Sequence, residues 1–464
     1  MPARTVNQLS DGDAIFLSME TSNSAGHVGA VMVLDPTTSP GFGFERLREH
    51  VARRLSLVPR FGWKLRRTLF DHDRPYWVEA GDYDPRDHVV RTAVPAPGND
   101  RQLAALTARL HAQPLDPTRP LWEIWIIEGL ADGRIGMYMK THHALVDGSG
   151  GAGLMAVLAD LSPEPSETPF VPDAYVETAP ATPSALEIAS RSLRNAASRP
   201  GRFFDHLGRG VRSLARRSPA QQTEVPKLFF NEPISRRRGF ATARIDFERV
   251  RDLKKHFDVT VNDVVLTLVG SAMSRWLRER GEQPEASLVA MCPVSTREGD
   301  SMGNQITSMA VPLATDVSDP AARLCHVHEN ARAAKEEVAD GTHFDWTAAL
   351  GESMAPAFTQ LVVRAAYSAA DSAPLPGNFV VSNVRATPTP LYLDGARVES
   401  MMPMSILAVG QGLNVTVVSY TDHIDVGILV DPDLVPDAWE FAAQFDRALE
   451  ELELAAEGVV YRAA

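Results

Sequence analysis

Two hydrophobic periods interleave along this chain. Phe44 to Leu55 is apolar at helical spacing, and Leu103, Leu106 and Leu110 put leucines on one face of a second helix. Trp122 to Ile127 and Ile135 to Thr141 alternate like strands, and Ser149 to Leu161 turns from small residues to helical spacing again. Further on, Asn262 to Arg280 reads as a largely buried helix, and Leu288 to Val294, Asn378 to Val384 and Leu413 to Tyr420 read as strands. Between these two mixed regions, Pro163, Pro165, Pro169, Pro172, Pro180 and Pro183 fall among Ser, Thr and Glu, which is linker chemistry. The pattern predicts an α/β (α+β) protein of two halves, 1–161 and 227–464, joined by a crossing segment at 162–226. A ligand site between the halves is the default expectation.

The joining segment has a second character. Arg191, Arg194, Arg199, Arg202, Arg209, Arg212, Arg216 and Arg217 stand against a single acid, Asp205. Phe203, Leu207, Val211 and Leu214 step by helical intervals, although Pro200 and Gly201 are expected to break the stretch. A basic amphipathic helix suits an anionic membrane or lipid-droplet surface. The same pattern fits a surface helix packed on its own domain with its arginines in solvent.

Composition narrows the rest. A chain of 464 residues exceeds one ordinary core, and 44% hydrophobic with 23% charged residues fits a globular protein. A net charge of −13 disfavours general nucleic-acid binding. The first twenty residues hold Asp11, Asp13 and Glu20 and no apolar core, unlike a signal peptide. Cys292 and Cys325 make neither a disulfide framework nor a zinc site, which points to a cytoplasmic setting.

Chemistry concentrates at His142-His143-Ala144-Leu145-Val146-Asp147-Gly148, where a strand runs out into a turn. Histidine exchanges a proton near neutral pH. Neighbours in a strand face opposite sides, so only one of the pair can face a given cleft. His143 shares parity with Thr141, Met139 and Met137, which leaves His142 a structural part. Asp147 is placed to curl back and fix the loop, with Gly148 allowing the tight backbone. A metal site on His143 and Asp147 lacks the further ligands it would need, and Cys325 to Glu329 lies in a helix-like segment where His326 and His328 diverge.

Two other matches fail on context. Gly148 to Gly153 fits G-x-G-x-x-G, but the region where a second strand with an acid should follow is the proline-rich linker. Gly299 to Gly303 fits G-x-S-x-G, but Asn304 to Pro312 after it alternates like a strand where a nucleophile elbow needs a helix.

The histidine motif, with its ordered surroundings, resembles the bacterial wax ester synthase/diacylglycerol acyltransferase family. That family belongs to the chloramphenicol acetyltransferase-like, CoA-dependent acyltransferases. The surroundings are Leu9-Ser10 with Asp13 and Phe16, Pro120-Leu121-Trp122-Glu123, Asn262-Asp263, Gly303-Asn304, Ser382-Asn383-Val384, and Leu391-Tyr392 with Gly395-Ala396. The set covers nearly the whole chain. It departs at Arg385-Ala386, where the family usually has Pro-Gly.

The resemblance implies two chloramphenicol acetyltransferase-like domains, each a mixed sheet flanked by helices, with an active-site tunnel at their interface. It implies transfer of a fatty acyl group from acyl-CoA, a co-substrate, to a long-chain alcohol or diacylglycerol, with no resident cofactor and no metal. His143 would be the general base, and Asp147 would pair with an arginine of the second half, for which Arg297 is the candidate. Ser382 or Asn383 would bind the oxyanion, or serve only as turn residues. Asn262 reads as the N-cap of its helix, with any effect on the alcohol channel positional. Two alternatives stay open: a condensation-type enzyme with a carrier-bound thioester and an amine or natural-product hydroxyl, and a non-catalytic protein of lipid surfaces.

Overall fold

The computed structural model describes residues 6–146, 154–166, 170–172, 179–216, 225–295, 306–339, 346–368 and 376–458. Asp147, Gly148, Arg297, Gly303-Asn304 and the whole of both glycine-rich matches lie outside the described residues.

The strands are β1 Asn7–Gln8, β2 His27–Asp35, β3 Trp63–Arg66, β4 Tyr76–Glu79, β5 Val89–Ala93, β6 Trp122–Glu128, β7 Ile135–His142, β8 Gly239–Asp246, β9 Val289–Ser295, β10 Ile306–Pro312, β11 Phe379–Arg385, β12 Tyr392–Leu393, β13 Ala396–Met404, β14 Leu413–Tyr420 and β15 His423–Val430. They form two six-stranded sheets, β12-β13-β2-β7-β6-β5 and β10-β9-β11-β14-β15-β8, and a small sheet β1-β4-β3. Both large sheets are mixed: β5–β6, β11–β14 and β11–β9 are parallel and the other pairs antiparallel. The helices used below are α1 Asp11–Ser18, α2 Phe44–Leu55, α3 Asp100–His111, α4 Ala185–Arg216, α5 Phe247–Phe257, α6 Val261–Glu279, α7 Pro320–Ala339, α8 Trp346–Ser353 and α9 Pro356–Ser368.

Sequence halves and sheets do not coincide. β12 and β13 come from the 227–464 half yet complete the first sheet, where β13 pairs with β2. Hydrophobic patterning predicts strands but not partners, so this exchange is invisible until the sheets form. It stitches the two halves together. Buried Asp425 of β15 accepts the Met401 amide of β13 at 2.6 Å and an N–H of Arg244 at 3.1 Å. Gly427 lets the two strands close up, because a Cβ there would lie 1.8 Å from the Pro403 carbonyl oxygen.

Helix α6 is buried along most of its length, as its apolar run predicts. Its N-cap is Thr260, not Asn262. Thr260 and Asp263 form a reciprocal capping box, Thr260 Oγ1 accepting the Asp263 amide and Asp263 Oδ2 accepting the Thr260 amide. Two residues compete for the cap in the sequence Thr-Val-Asn-Asp, and the one with an acid three residues on wins. Asn262 is thereby placed in the first turn with its side chain free to reach another element.

Helix α4 also differs from expectation: it continues through Pro200 as one helix of 32 residues. Anchors on both sides of Pro200 explain this. Buried Asp73 accepts from Asn195 Nδ2 at 2.9 Å and Arg199 Nη2 at 2.9 Å, and Arg202 reaches Asp11 at 3.4 Å. Ser192, Asn195, Arg199, Arg202 and His206 form a polar stripe against the body, and His206 bonds Glu352 of α8 at 2.9 Å. Leu186, Leu193, Phe203, Phe204 and Leu207 point outward, with Leu193 at 73% and Phe204 at 67% exposure. The helix is therefore packed on its domain by its polar face, the reverse of an ordinary surface helix.

Candidate active site

The His142-His143 pair ends β7, where its backbone is held on two sides. The His142 amide donates to Leu121 O at 2.9 Å and the His143 amide to Gly26 O at 2.8 Å. Leu121 precedes Trp122, whose indole N–H donates to Phe61 O at 2.8 Å, and Glu123, which pairs with buried Lys140 at 3.0 Å. The Pro-Leu-Trp-Glu segment thus fixes the strand that carries the histidines.

The two rings have opposite surroundings. His142 is buried, and its Nδ1 accepts the Ala144 amide at 3.0 Å. Nε2 therefore carries the proton and donates to Glu20 Oε1 at 3.3 Å, an oxygen that also accepts the Gly26 amide at 2.9 Å. Burial opposes ionisation of Glu20, but these bonds from His142 and Gly26 bring its carboxyl below its ordinary pKa. His143 faces the other way, into a cavity, and its ring stacks on Phe16 with centroids 3.9 Å apart and planes 11° from parallel.

Helix α1 supplies both supports. Ser10 caps it, accepting the Asp13 amide at 3.0 Å while its hydroxyl donates to Asp13 Oδ2 at 2.7 Å. The helix then presents Phe16 to His143, and Glu20 just beyond it reaches His142. Sequence reasoning missed Glu20 altogether. An acid after a capped helix gives no signal of a partner 122 positions away.

The cavity lies between the two large sheets and measures about 780 Å³. Val28, Ala30 and Met32 of β2 and Met139 and Thr141 of β7 line one side; Ser382 and Val384 of β11 and Thr416 and Val418 of β14 line the other. Most of the wall is apolar, with Met32, Met139, Met155, Met401 and Met404 giving it an adaptable surface. At its far end buried Arg54 of α2 donates from Nη2 to both carboxylate oxygens of Asp160, each at 2.6 Å. Asp160 also exchanges backbone hydrogen bonds with Tyr392 of β12, at 2.8 and 2.9 Å.

Ser382 and Asn383 separate by strand parity. Ser382 lines the cavity; Asn383 points away, and its Nδ2 donates to Asn262 Oδ1 at 3.2 Å. Asn262 and Asn383 are thus brought together outside the cavity wall, joining α6 to β11. Behind them His328 of α7 bonds Asp263 Oδ2 at 2.8 Å. Arg385 continues β11, paired with Ser419, and lines the cavity with Ala386. Among the described residues, no group of three His, Cys, Asp or Glu side chains could hold a metal ion.

Solved condensation domains of the calcium-dependent antibiotic synthetase share the fold at a TM-score of 0.59 and 14% identity, covering 98% of this chain and 98% of that one. The wax ester synthase/diacylglycerol acyltransferase from Marinobacter aquaeolei VT8 superposes with a TM-score of 0.71 at 26% identity, covering 97% of this chain and 100% of that one. Residues 9–265 match the wax ester synthase/diacylglycerol acyltransferase catalytic domain, and residues 302–453 match the C-terminal domain of the same family. A protein of Mycobacterium tuberculosis named as a diacylglycerol O-acyltransferase is 35% identical over 96% of this chain and 90% of its own length. One from Mycobacterium bovis is 34% identical over 97% of this chain and 99% of its own. The chain belongs to the wax ester synthase/diacylglycerol acyltransferase family.

Proposed function

We propose that the protein transfers a fatty acyl group from acyl-CoA to the hydroxyl of a long-chain alcohol or diacylglycerol, giving a wax ester or triacylglycerol. The observation that carries this reading is His143 on the wall of a large apolar cavity. About 780 Å³ lies within the roughly 300–1,000 Å³ usual for ligand sites. Each buried CH₂ of an acyl chain gains ~0.8 kcal/mol there. Such walls bind a chain without charge, and a single proton-transfer group at one end suffices for the chemistry.

In this mechanism neutral His143 accepts the acceptor hydroxyl's proton as its oxygen attacks the thioester carbonyl. The C–S bond breaks, and the proton passes from His143 to the CoA sulfur, leaving an ester and free CoA. Ser382 donates to the oxyanion on the way. Stacking on Phe16 holds the imidazole plane, and Glu20 holds its neighbour. By the family resemblance Asp147 would pair with Arg297 and fasten the loop, with no role as a base; both lie outside the described residues. Acyl-CoA is consumed as a substrate, and no step needs a resident cofactor. Family membership favours this reading over condensation with an amine acceptor.

The second part of the proposal concerns place. No helix among the described residues is long and apolar enough to cross a membrane. Exposed Arg194 and Arg209 flank the outward side chains of α4, and Leu69 and Phe70, at 72% and 86% exposure, lie on the segment whose His72 carbonyl accepts from Arg199. Apolar side chains ringed by arginines suit peripheral attachment to an anionic lipid surface, where the substrates dissolve. Product identification tests the reaction: palmitoyl-CoA offered with hexadecanol and diacylglycerol together should yield wax ester, triacylglycerol or both. Neither product, with CoA retained on the acyl chain, would overturn it.

A further inference from the structure

We propose, on the acyl-transfer reading above, that the main cavity opens toward lipid between Leu161 and Phe170, and that the neutral acceptor enters there hydroxyl-first. Leu161 and Phe170 are then the residues that admit the alcohol or diacylglycerol.

Register fixes where this end of the cavity lies. Next to His143, Thr141 of β7 pairs with Val28 of β2. Seven residues along β2 Asp35 pairs with Arg397, and Arg397 pairs with Tyr392 of β12. Tyr392 in turn forms an antiparallel bridge with Asp160. At the usual strand rise of ~3.3 Å per residue, Asp160 and Leu161 therefore stand about 23 Å along β2 from the level of Thr141. That span is comparable with an extended hexadecyl chain.

This remote end reaches the protein surface. Leu161 and Phe170 line the cavity and yet are 70% and 68% exposed. On the β11 side the lining ends in Arg385, which is exposed, and in Ala386 and Thr387, which are half-buried. Arg385-Ala386 stands where the family usually has Pro-Gly, so the rim is a place where this chain has its own residues. Both sides of the rim are anchored. The Asp160 carboxylate accepts from Arg54 and also from the Ser166 amide at 3.2 Å, which ties the turn that carries Leu161. The Ala386 amide donates to Ser419 O at 3.1 Å, carrying the pairing of β11 with β14 on to the rim. An apolar cavity that meets the surface between exposed apolar side chains is a route for hydrocarbon.

Charge decides which substrate takes this route. Among the described residues, the charged groups lining this end are Asp160, neutralised by Arg54, and one of each sign, Glu164 and Arg385. Together they offer no net positive charge to the pyrophosphate and ribose phosphate of CoA. A long alcohol or diacylglycerol carries no charge and dissolves in lipid. Entering hydroxyl-first, it would bring its oxygen toward His143 and lay its hydrocarbon along the methionine-rich wall. Its tail would then rest at the rim, on Leu161 and Phe170.

The test uses palmitoyl-CoA as donor and two acceptors, hexadecanol carried in phosphatidylcholine vesicles and hexanol dissolved in water. Leu161→Glu with Phe170→Glu should raise KM for hexadecanol about tenfold or more, the scale of one lost apolar side-chain contact. KM for hexanol, too short to reach from His143 to the rim, and KM for palmitoyl-CoA should stay within about twofold, a gap well below that tenfold scale. Phe170→Leu keeps the rim apolar and should behave like the unaltered protein. Thermal melts should match throughout, since both side chains are exposed. An unchanged hexadecanol KM would overturn the portal. An equal rise for hexanol would overturn it as well, by showing a general effect on the site. A rise confined to palmitoyl-CoA would put the donor at this mouth and overturn the assignment to the acceptor. No turnover of palmitoyl-CoA with either alcohol or with diacylglycerol by the unaltered protein would overturn the acyl-transfer reading itself, and the portal with it.

Discussion

Phe16 lies flat on His143, ring centroids 3.9 Å apart, and so joins the first helix of the chain to the histidine that faces the cavity. The contact leaves the imidazole edge toward the cavity and restricts its rotation. Phe16→Ala should therefore lower kcat with little change in KM, since misplacing a reacting group by about 1 Å can cost ~10²-fold. Steady-state kinetics beside a thermal melt check it; an unchanged kcat in a folded variant would contradict the positioning role.

The buried pair Arg54–Asp160 ties α2 to the cavity's far end and to β12. Asp160→Ala strands a buried guanidinium and should destabilise by roughly 3–5 kcal/mol. The double replacement Arg54→Met with Asp160→Leu should cost less than the single one. Urea midpoints for the three proteins measure the difference, and a double variant less stable than Asp160→Ala would count against a coupled pair.

Acid should destabilise the fold through its histidines. Burial is the largest cause lowering His27, His50, His88 and His111, the last to about 3. Their folded pKa values lie below the unfolded value near 6.5, so the stability they contribute is present above about pH 6.5 and lost as pH falls. His423 runs the other way: burial opposes its charge, but hydrogen bonds to Asp425 and Asp422 raise it. Each lowered ring adds up to about 1.4 kcal/mol per pH unit to the slope. The urea midpoint should drop between pH 7.5 and 5.5, and His111→Gln should flatten that drop. A midpoint that holds or rises at pH 5.5 would contradict this.

Much of this was legible in the sequence, and the misses have physical reasons. Strand parity put His142 and His143 on opposite sides of β7, because a period of two leaves no other choice. The same parity divides Ser382 from Asn383, but the sequence alone does not say which side the cavity takes. The helix beginning near Asn262 follows from its apolar run; its cap at Thr260 depends on Asp263 reaching back. Continuity of α4 through Pro200 rests on anchors to Asp73 before it and Asp11 after it, each more than a hundred positions away in sequence. The exchange of β12 and β13 and the Glu20–His142 contact are long-range pairings, which no local pattern encodes.

If α4 attaches the protein to lipid, its outward apolar side chains carry the contact. Phe203→Glu, Phe204→Glu and Leu207→Glu together should abolish co-flotation with anionic liposomes while leaving the fold intact, since all three side chains are exposed. Flotation that survives the triple change would contradict attachment through this helix.

The central claim is that His143 moves the proton in acyl transfer. The direct measurement is CoA thiol release from palmitoyl-CoA with hexadecanol and with diacylglycerol, for the unaltered protein and for His143→Ala of equal thermal stability. The account predicts a loss of roughly 10²–10⁴-fold, the usual worth of a positioned acid–base group. Turnover that persists undiminished in the folded variant would contradict it.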